Sequence, residues 1–185
     1  MKTCFMGLGY IGLPTAIIAA KHGIKVTGVD INPSVVELTN QGKLHIVEPG
    51  LEAYLQEVVK TGNLKASLKP EACEAYFMVV PTPFKENHEP DISYVEAATR
   101  SVLPLLKAGD LYVIESTSPI GTTEKMRDLI YGERPELKDK IYIAYCPERV
   151  LPGNVIYELV HNDRVIGGID EESTNKAIEF YSQFV

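Results

Sequence analysis

Short runs of apolar residues alternate along this chain with longer segments of helical period, and this alternation restricts the possible folds more than any other feature. The apolar runs predict strands at 2–6, 25–30, 75–80, 110–115, 141–145 and 164–169. Helices are predicted at 11–22, 92–107 and 171–184, and one more helix has Met126, Leu129 and Ile130 on one face. We expect Pro104 to kink or end the second of them. Because the apolar runs are mostly continuous, the pattern predicts an α/β fold with a doubly wound, mainly parallel sheet flanked by helices.

The segment GLGYIG at 7–12 follows the first predicted strand and opens the first predicted helix. In the Rossmann-type dinucleotide fingerprint, Gly7 permits the tight turn, Gly9 lets the backbone approach a pyrophosphate, and Gly12 lets the helix pack closely on the strand. Asp30 ends the second predicted strand, where a carboxylate accepts hydrogen bonds from an adenosine ribose and repels a 2′-phosphate. The segment therefore predicts NAD rather than NADP; a purely structural turn followed by a capping aspartate is the alternative.

The charge of the chain argues against nucleic acid as its partner. It has 18 Lys and Arg against 25 Asp and Glu, a net charge of −7, and an isoelectric point near 5.2. A duplex-binding protein is expected to be basic, with clustered cations. The sequence also contains no apolar stretch of the roughly 18 residues that a membrane span needs, so we expect no membrane partner.

The cysteines and histidines do not form a metal-binding pattern. Cys4, Cys73 and Cys146 are far apart, and the four histidines are scattered, so no metal site is predicted. An odd number of separated cysteines is typical of a reducing compartment. We therefore expect a cytoplasmic protein whose cysteines are free thiols.

Polar residues follow three later strands, at the edge of the sheet where a doubly wound fold binds its ligand. Thr82 lies between two prolines after the third predicted strand, and Thr117 and Thr123 lie in the segment STSPIGTT after the fourth. Glu148 and Arg149 follow the fifth strand. Helix capping by the hydroxyls and a surface ion pair between Glu148 and Arg149 are the alternatives to a functional role.

Six segments, in this order, resemble the motifs of the UDP-glucose/GDP-mannose dehydrogenase family, specifically its UDP-N-acetyl-D-mannosamine dehydrogenase branch. They are GLGYIGLPTA at 7–16, VDIN at 29–32, IVEPGLE at 46–52, VPTPF at 80–84, ESTSPIGTTEK at 115–125 and CPERVLPG at 146–153. CPERVLPG indicates the branch, because UDP-glucose and GDP-mannose enzymes usually carry a PEF-type sequence there. The resemblance covers essentially all 185 residues.

The resemblance implies which residues contact the cofactor. Tyr10 and Ile11 are expected beside the NAD pyrophosphate and Asp30 at its ribose, and Thr82 and Thr123 are expected to line the rest of the groove. These expectations agree with the fingerprint, which on its own predicts the roles of the three glycines.

The resemblance also implies an activity, the oxidation of the C6 alcohol of a UDP-sugar to a carboxylate by two NAD molecules through a thioester. Thr117 is expected near the nicotinamide and the reacting carbon, and Glu148 is expected to be the acid/base carboxylate. Arg149 and Val150 are expected to contact the sugar nucleotide.

The family's nucleophilic cysteine lies on a later motif, which this sequence lacks, and Cys146 lies on a different one. Residues 1–185 are therefore expected to form the NAD-binding domain, ending before a central helix and a C-terminal substrate domain. We expect this chain to bind NAD without turnover, and the complete enzyme to be a homodimer. The alternatives are a UDP-N-acetylglucosamine or UDP-glucose 6-dehydrogenase, and a non-catalytic NAD-binding module.

Overall fold

A single sheet passes through the centre of the protein in the computed structural model, which describes residues 1–151 and 153–185. The strands β1 to β7, in chain order, are Lys2–Met6, Lys25–Val29, Leu64–Ser67, Ala75–Met78, Leu111–Ile114, Tyr142–Tyr145 and Gly167–Gly168. The helices α1 to α7 are Gly12–Lys21, Pro33–Asn40, Leu51–Lys60, Ser93–Val102, Thr122–Glu133, Val155–His161 and Glu171–Tyr181. Short 3₁₀ turns occupy Leu103–Leu105 and Pro135–Leu137.

The strand order across the sheet is β3-β2-β1-β4-β5-β6-β7. Each neighbouring pair from β3 to β6 is parallel, and only the pairing of β6 with β7 is antiparallel. The order reverses between β1 and β4, so the loops after these two strands diverge and leave a crevice at the carboxyl edge of the sheet. This is the doubly wound, mainly parallel α/β fold that the sequence predicts.

Each face of the sheet has its own apolar core. On one face Phe5 of β1 stacks on Phe77 of β4 with ring centroids 4.6 Å apart, and Phe180 of α7 lies 4.4 Å from Phe77. On the other face α4 and α5 cover β4 and β5, and the Thr99 and Tyr112 hydroxyls are hydrogen-bonded at 2.6 Å. The strands are buried on both faces, which explains why they lack an alternating pattern.

Helix α1 is buried along nearly its whole length rather than on one face, because it packs between the sheet and the helices α3 and α6. Leu13, Ala16 and Ile17 are fully buried, and so is Thr15, whose hydroxyl donates to the Ile11 carbonyl at 2.9 Å. A helix at this central position fixes the geometry of the turn that precedes it.

Four elements were not predicted from the sequence, namely α2, β3, α3 and α6. The expected strand at 164–169 was mostly wrong, since only Gly167–Gly168 pairs and does so antiparallel to β6. The helix predicted at 92–107 ends at Val102, and Pro104 lies in the 3₁₀ turn that follows, as its ring dictates. Cys4, Cys73 and Cys146 are buried free thiols, as expected. Among the described residues, no helix has the length and apolarity needed to cross a membrane.

Glu48 links two segments that are far apart in the sequence. This buried carboxylate precedes α3, and its two oxygens accept hydrogen bonds from the backbone N–H groups of Gly153 at 2.8 Å and Val155 at 2.9 Å. It therefore caps the start of α6 from a distance and fixes the segment that follows Glu148.

Replacing Glu48 by alanine leaves the Gly153 and Val155 amides without their charged acceptor. We expect Glu48→Ala to lower the free energy of unfolding by about 2 kcal/mol, measured by urea denaturation, and to speed hydrogen exchange at the Val155 amide. Glu52→Ala, at an exposed position of α3, is the control and should change neither quantity appreciably. Unchanged exchange at Val155 would contradict the role given to Glu48.

Candidate cofactor and catalytic site

A cavity of about 600 Å³ lies at the carboxyl edge of the sheet, across the point where the strand order reverses. Its wall is made by the ends of β2, β1, β4, β5 and β6 and by one side of α4. Most of the lining is apolar, with a small number of polar groups, as is usual for small-molecule sites. The lining includes Gly7, Gly9, Tyr10, Ile11, Asp30, Thr82, Glu115, Ser116, Thr117 and Glu148.

The three glycines of the fingerprint differ in what a side chain at each position would meet. Gly7 has φ +103°, and a Cβ there would lie 2.5 Å from the Val79 carbonyl oxygen. A Cβ on Gly12 would overlap the carbonyl of Gly7, so α1 can approach β1 this closely only with glycine at that position. By contrast, a Cβ on Gly9 would meet no described protein atom within 4 Å. The protein itself does not require glycine at position 9, so this glycine leaves room for a bound group.

The amino terminus of α1 faces the same cavity. Within the described part of the chain, no side chain caps this helix at Ile11, and its first turn contains no acidic residue. The unpaired N–H donors and the positive end of the helix dipole therefore favour an anion such as a pyrophosphate. Tyr10 is about half exposed beside this turn.

Asp30 lies at the end of β2 and is held by the neighbouring backbone. One carboxylate oxygen accepts from the Leu8 N–H at 3.0 Å, and the other accepts from the Asn32 N–H at 2.9 Å. A carboxylate has about four acceptor positions, so two remain for a ligand. Ile31, which is 90% exposed, provides an apolar surface next to it.

The loops after β4 and β5 are joined by side-chain hydroxyls. Thr82 donates to the Thr117 carbonyl at 2.7 Å, and Ser116 donates to the Val80 carbonyl at 2.6 Å. The Thr117 residue is exposed on the cavity wall. These bonds hold the two loops in one arrangement along the middle of the cavity.

Glu148, after β6, forms a buried ion pair with Arg164. The Glu148 Oε2 atom lies 2.7 Å from Arg164 Nη1, and both side chains are less than 10% exposed, at 7% and 8%. The backbone also fixes Glu148, whose N–H donates to the Glu115 carbonyl at 3.2 Å. Arg164 additionally lies over the ring of Tyr181, 4.8 Å from its centroid. The carboxylate at this end of the cavity is therefore held in position by a cation that is itself packed in place.

Glu115, at the end of β5, is a second buried carboxyl in the same place. It is 1% exposed, and its Oε1 accepts a hydrogen bond from the Tyr181 hydroxyl at 2.5 Å. Its Oε2 has no hydrogen-bond partner among the described residues. Burial raises the pKa of Glu115 to about 7, although Arg164 and the Tyr181 hydroxyl oppose the shift.

The same buried charges shift the pKa values of Arg164, Cys146 and Tyr181. Burial alone would lower the pKa of Arg164, but the charges of Glu115 and Glu148 raise it above its usual value. Burial and the Glu115 charge raise the pKa of Cys146 to about 11 and that of Tyr181 well above its ordinary range. Arg164 is therefore a permanent cation here, and Cys146 is an unreactive thiol at neutral pH.

The cavity brings together most, but not all, of the site residues predicted from the sequence. Gly12 lies beneath the turn rather than in the wall, and Thr123 is in the first turn of α5, outside the lining. The Arg149 side chain is exposed and donates to the Asp163 carbonyl at 2.6 Å, and Val150 is buried in the apolar core. The roles given to these residues stay predictions.

Glu115, Arg164 and Tyr181 were not predicted from the sequence as members of the site. A signal was present for the first two, because Glu115 directly follows an apolar run and Arg164 directly precedes one. Charges at such positions are usually buried only when they are paired. The role of Tyr181 had no comparable signal, since a tyrosine in an apolar helix face is typical of an ordinary core.

The whole chain matches a known protein family. The model of the UDP-glucose/GDP-mannose dehydrogenase family, NAD binding domain, matches residues 1–185. The chain belongs to this family. This confirms the family resemblance carried by the six motifs, and NAD as the cofactor of this domain.

Individual relatives agree with this assignment. A UDP-N-acetyl-D-mannosamine dehydrogenase of Campylobacter jejuni is 51% identical, over 100% of this chain and 47% of its own length. An NDP-N-acetyl-D-galactosaminuronic acid dehydrogenase of Ralstonia nicotianae is 48% identical, over 97% of this chain and 44% of its own. The structure of a UDP-N-acetyl-mannosamine dehydrogenase from Staphylococcus aureus matches with a TM-score of 0.95 and 41% identity, over 100% of this chain and 46% of that one. The chain thus spans about half the length of the curated relatives it matches.

The stability of the domain should depend on the protonation of Glu115. Its pKa in the folded protein, about 7, is above its usual value, so the folded state binds this proton more tightly than the unfolded chain does. The stabilisation is complete below about pH 4.5 and is lost as the pH rises through about 7, for a total of about 3 kcal/mol. Glu115→Gln removes this loss, so the stability of the variant relative to the parent should rise between pH 5 and pH 8, measured by urea denaturation at the two pH values.

The exposed Glu52 provides the control for this titration, because Glu52→Gln should shift stability equally at both pH values. A stability difference between Glu115→Gln and the parent that does not change with pH would show that Glu115 stays ionised when buried.

Proposed function

We propose that this chain is the NAD-binding part of a UDP-N-acetyl-D-mannosamine 6-dehydrogenase, which oxidises the C6 alcohol of its UDP-sugar to the uronic acid with two NAD molecules. The observation that supports this most directly is the cavity that runs from Asp30 past Gly9 to Glu148. It crosses five adjacent strands, and four strand spacings of about 4.8 Å give a length of about 19 Å, which is long enough for a dinucleotide.

In this proposal NAD lies with its adenosine ribose at Asp30 and its pyrophosphate over Gly7, Gly9, Tyr10 and Ile11. Gly9 supports it, since the missing Cβ leaves open space that no described protein atom fills. The Asp30 carboxylate favours a ribose diol and repels a 2′-phosphate, so NAD is preferred over NADP. Thr82 and Thr117 line the remainder of the groove, and Thr123, in the first turn of α5 outside this lining, is proposed to complete the contacts with the cofactor.

At the other end of the cavity, Glu148 acts as the acid/base carboxylate and Thr117 lies beside the reacting carbon. Bound NAD supplies a hydride acceptor for the oxidation of the alcohol. The chain's own contribution is to orient the Glu148 carboxylate through Arg164 and to keep it accessible to the cavity. Proton transfer by a carboxylate in such a position accelerates reactions by about 10²- to 10⁴-fold.

The identity of the sugar rests on the relatives. Two relatives with nearly equal identity carry names with different N-acetylated sugars, one mannosamine and one galactosaminuronic acid. N-acetyl-D-mannosamine is proposed because the relatives with this name include those of Campylobacter jejuni and Yersinia pestis. Arg149 and Val150 are proposed to contact the sugar nucleotide, and UDP-N-acetylglucosamine and UDP-glucose are the alternative substrates.

The proposal extends to the complete enzyme. Residues 1–185 form its NAD-binding domain, a central helix and a substrate domain with the nucleophilic cysteine complete it, and it acts as a homodimer in the cytoplasm. A non-catalytic NAD-binding module is the alternative, but the orientation of Glu148 by a buried arginine favours a catalytic role.

Adding a methyl group at position 9 should block the cofactor without disturbing the fold. We expect Gly9→Ala to weaken NAD binding at least tenfold in calorimetric titration, because the new Cβ occupies the space for the pyrophosphate, while the melting temperature stays unchanged. Gly132→Ala in α5 is a matched control, since its Cβ also meets no described atom within 4 Å, and it should leave NAD affinity unchanged. Equal NAD affinity in Gly9→Ala and the parent would remove the pyrophosphate from this turn.

The 185-residue chain should bind NAD but not turn over, because the thioester mechanism needs the nucleophilic cysteine of the later motif. With NAD and UDP-N-acetylmannosamine, NADH absorbance should not rise above the blank without protein. Calorimetric titration of the same sample with NAD provides the control, since it should show binding. Steady production of NADH by this chain would refute the proposed division of the enzyme.

A further inference from the structure

Two buried carboxyl groups share one guanidinium at the catalytic end of the cavity. Glu148 forms an ion pair with Arg164, and Glu115 lies on the neighbouring strand end. The Oε2 atoms of both glutamates have no aligned hydrogen-bond donor among the described residues. We call Glu115, Glu148 and Arg164 the carboxyl–guanidinium unit. Both glutamates belong to the lining of the cavity.

The charges of this unit do not balance when both carboxyl groups are ionised. Two carboxylates and one guanidinium leave a net negative charge in a place with little solvent, which is unfavourable. The charged and titratable side chains that face Glu115 are those of Arg164, Glu148, Cys146 directly after β6, and Tyr181 from α7. The thiol and the phenol remain neutral at pH 7, so none of these groups supplies a second cation.

The direct ion pair of Glu148 with Arg164 decides which carboxyl holds the proton. Glu148 has a cation at 2.7 Å, whereas Glu115 has only the Tyr181 hydroxyl as a donor. Protonation of Glu115 therefore relieves the charge imbalance with the smaller loss of interaction energy. Its raised pKa, about 7, agrees with this assignment.

The unit lies at the end of the cavity opposite Asp30. A dinucleotide with its adenosine ribose at Asp30 directs its second base towards Glu115 and Glu148, because the lining between them is continuous. In oxidised NAD this second base is a cation, and in NADH it is neutral. A nearby cation favours the ionised form of a carboxyl group and lowers its pKa.

We propose that Glu115 holds a proton in the free protein and releases it when oxidised NAD binds, whereas binding of NADH leaves the proton in place. This inference rests on the proposed function, since it takes the NAD orientation given there. Glu115 is then a positioning residue, which sets the protonation state of the carboxyl–guanidinium unit. The unit without its proton is able to accept one, which is what the oxidation of an alcohol requires of a base.

The proposal predicts that the affinities for oxidised NAD and for NADH depend differently on pH. Because binding of oxidised NAD releases a proton, its affinity should rise several-fold between about pH 6 and pH 8 and then level off, whereas NADH affinity should stay nearly constant. At pH 7 the group is about half protonated, so oxidised NAD should release up to about half a proton per site. Calorimetric titration of this chain in phosphate and in Tris, which differ in ionisation enthalpy, measures the released fraction directly.

Variants identify the source of the proton. Glu115→Gln keeps the side-chain shape and the acceptor for Tyr181, so it should still bind oxidised NAD but release no proton. Glu52→Gln, at an exposed position of α3, should release as much as the parent. Tyr181→Phe removes the donor that favours ionised Glu115, so its release at pH 7 should increase, and it tests the proposal if Glu115→Gln fails to fold.

The outcomes distinguish failure of this inference from failure of the proposed function. Equal proton release with oxidised NAD and NADH, or release that persists in Glu115→Gln, overturns this inference while leaving NAD binding intact. If neither form of the cofactor binds the parent chain, the proposed function fails and this inference fails with it.

Discussion

The close approach of α1 to the turn after β1 is the constraint on which the rest of the site depends. It exists because Gly12 has no Cβ that would overlap the Gly7 carbonyl. A helix at this distance is buried on all sides, between the sheet and the helices α3 and α6. Its amino terminus therefore cannot shift, and the N–H groups at the turn keep one direction relative to the ends of β2 and β4. The position of the cavity follows from this packing.

At the opposite end of the cavity, an ion pair and not helix packing holds the site in place. A buried ion pair costs desolvation energy that its Coulomb attraction only partly returns, so the pairing of Glu148 with Arg164 contributes little to stability. Its effect is on geometry, because a guanidinium stacked over the Tyr181 ring allows few directions for the carboxylate it holds. Glu115, whose pKa is about 7, adds to this ion pair a group whose charge changes near neutral pH.

The sequence was sufficient for five of the seven strands, β1, β2, β4, β5 and β6, because continuous apolar runs are local patterns. The spacing of Gly7, Gly9, Gly12 and Asp30 is a local pattern too, and it indicated the turn at which the cavity begins. The sequence was insufficient for short elements on the surface. In α2 only Thr39 is buried, so this helix shows no clear period. Strand β3 alternates between buried and exposed residues but has only four of them, too few for the alternation to be distinctive. The contact of Glu115 with Tyr181 spans 66 residues and depends on how α7 packs over the sheet, which no local pattern encodes.

Asp30 illustrates how the fold prepares a site in advance. Its carboxylate is held on both oxygens by the backbone N–H groups of Leu8 and Asn32. The rotamer freedom of this side chain is therefore lost during folding and not when a ligand arrives. Immobilising a flexible side chain on association costs about 0.5 to 1.5 kcal/mol, and a short aspartate lies towards the lower end of that range. The ligand meets a preorganised acceptor and retains that part of its binding free energy.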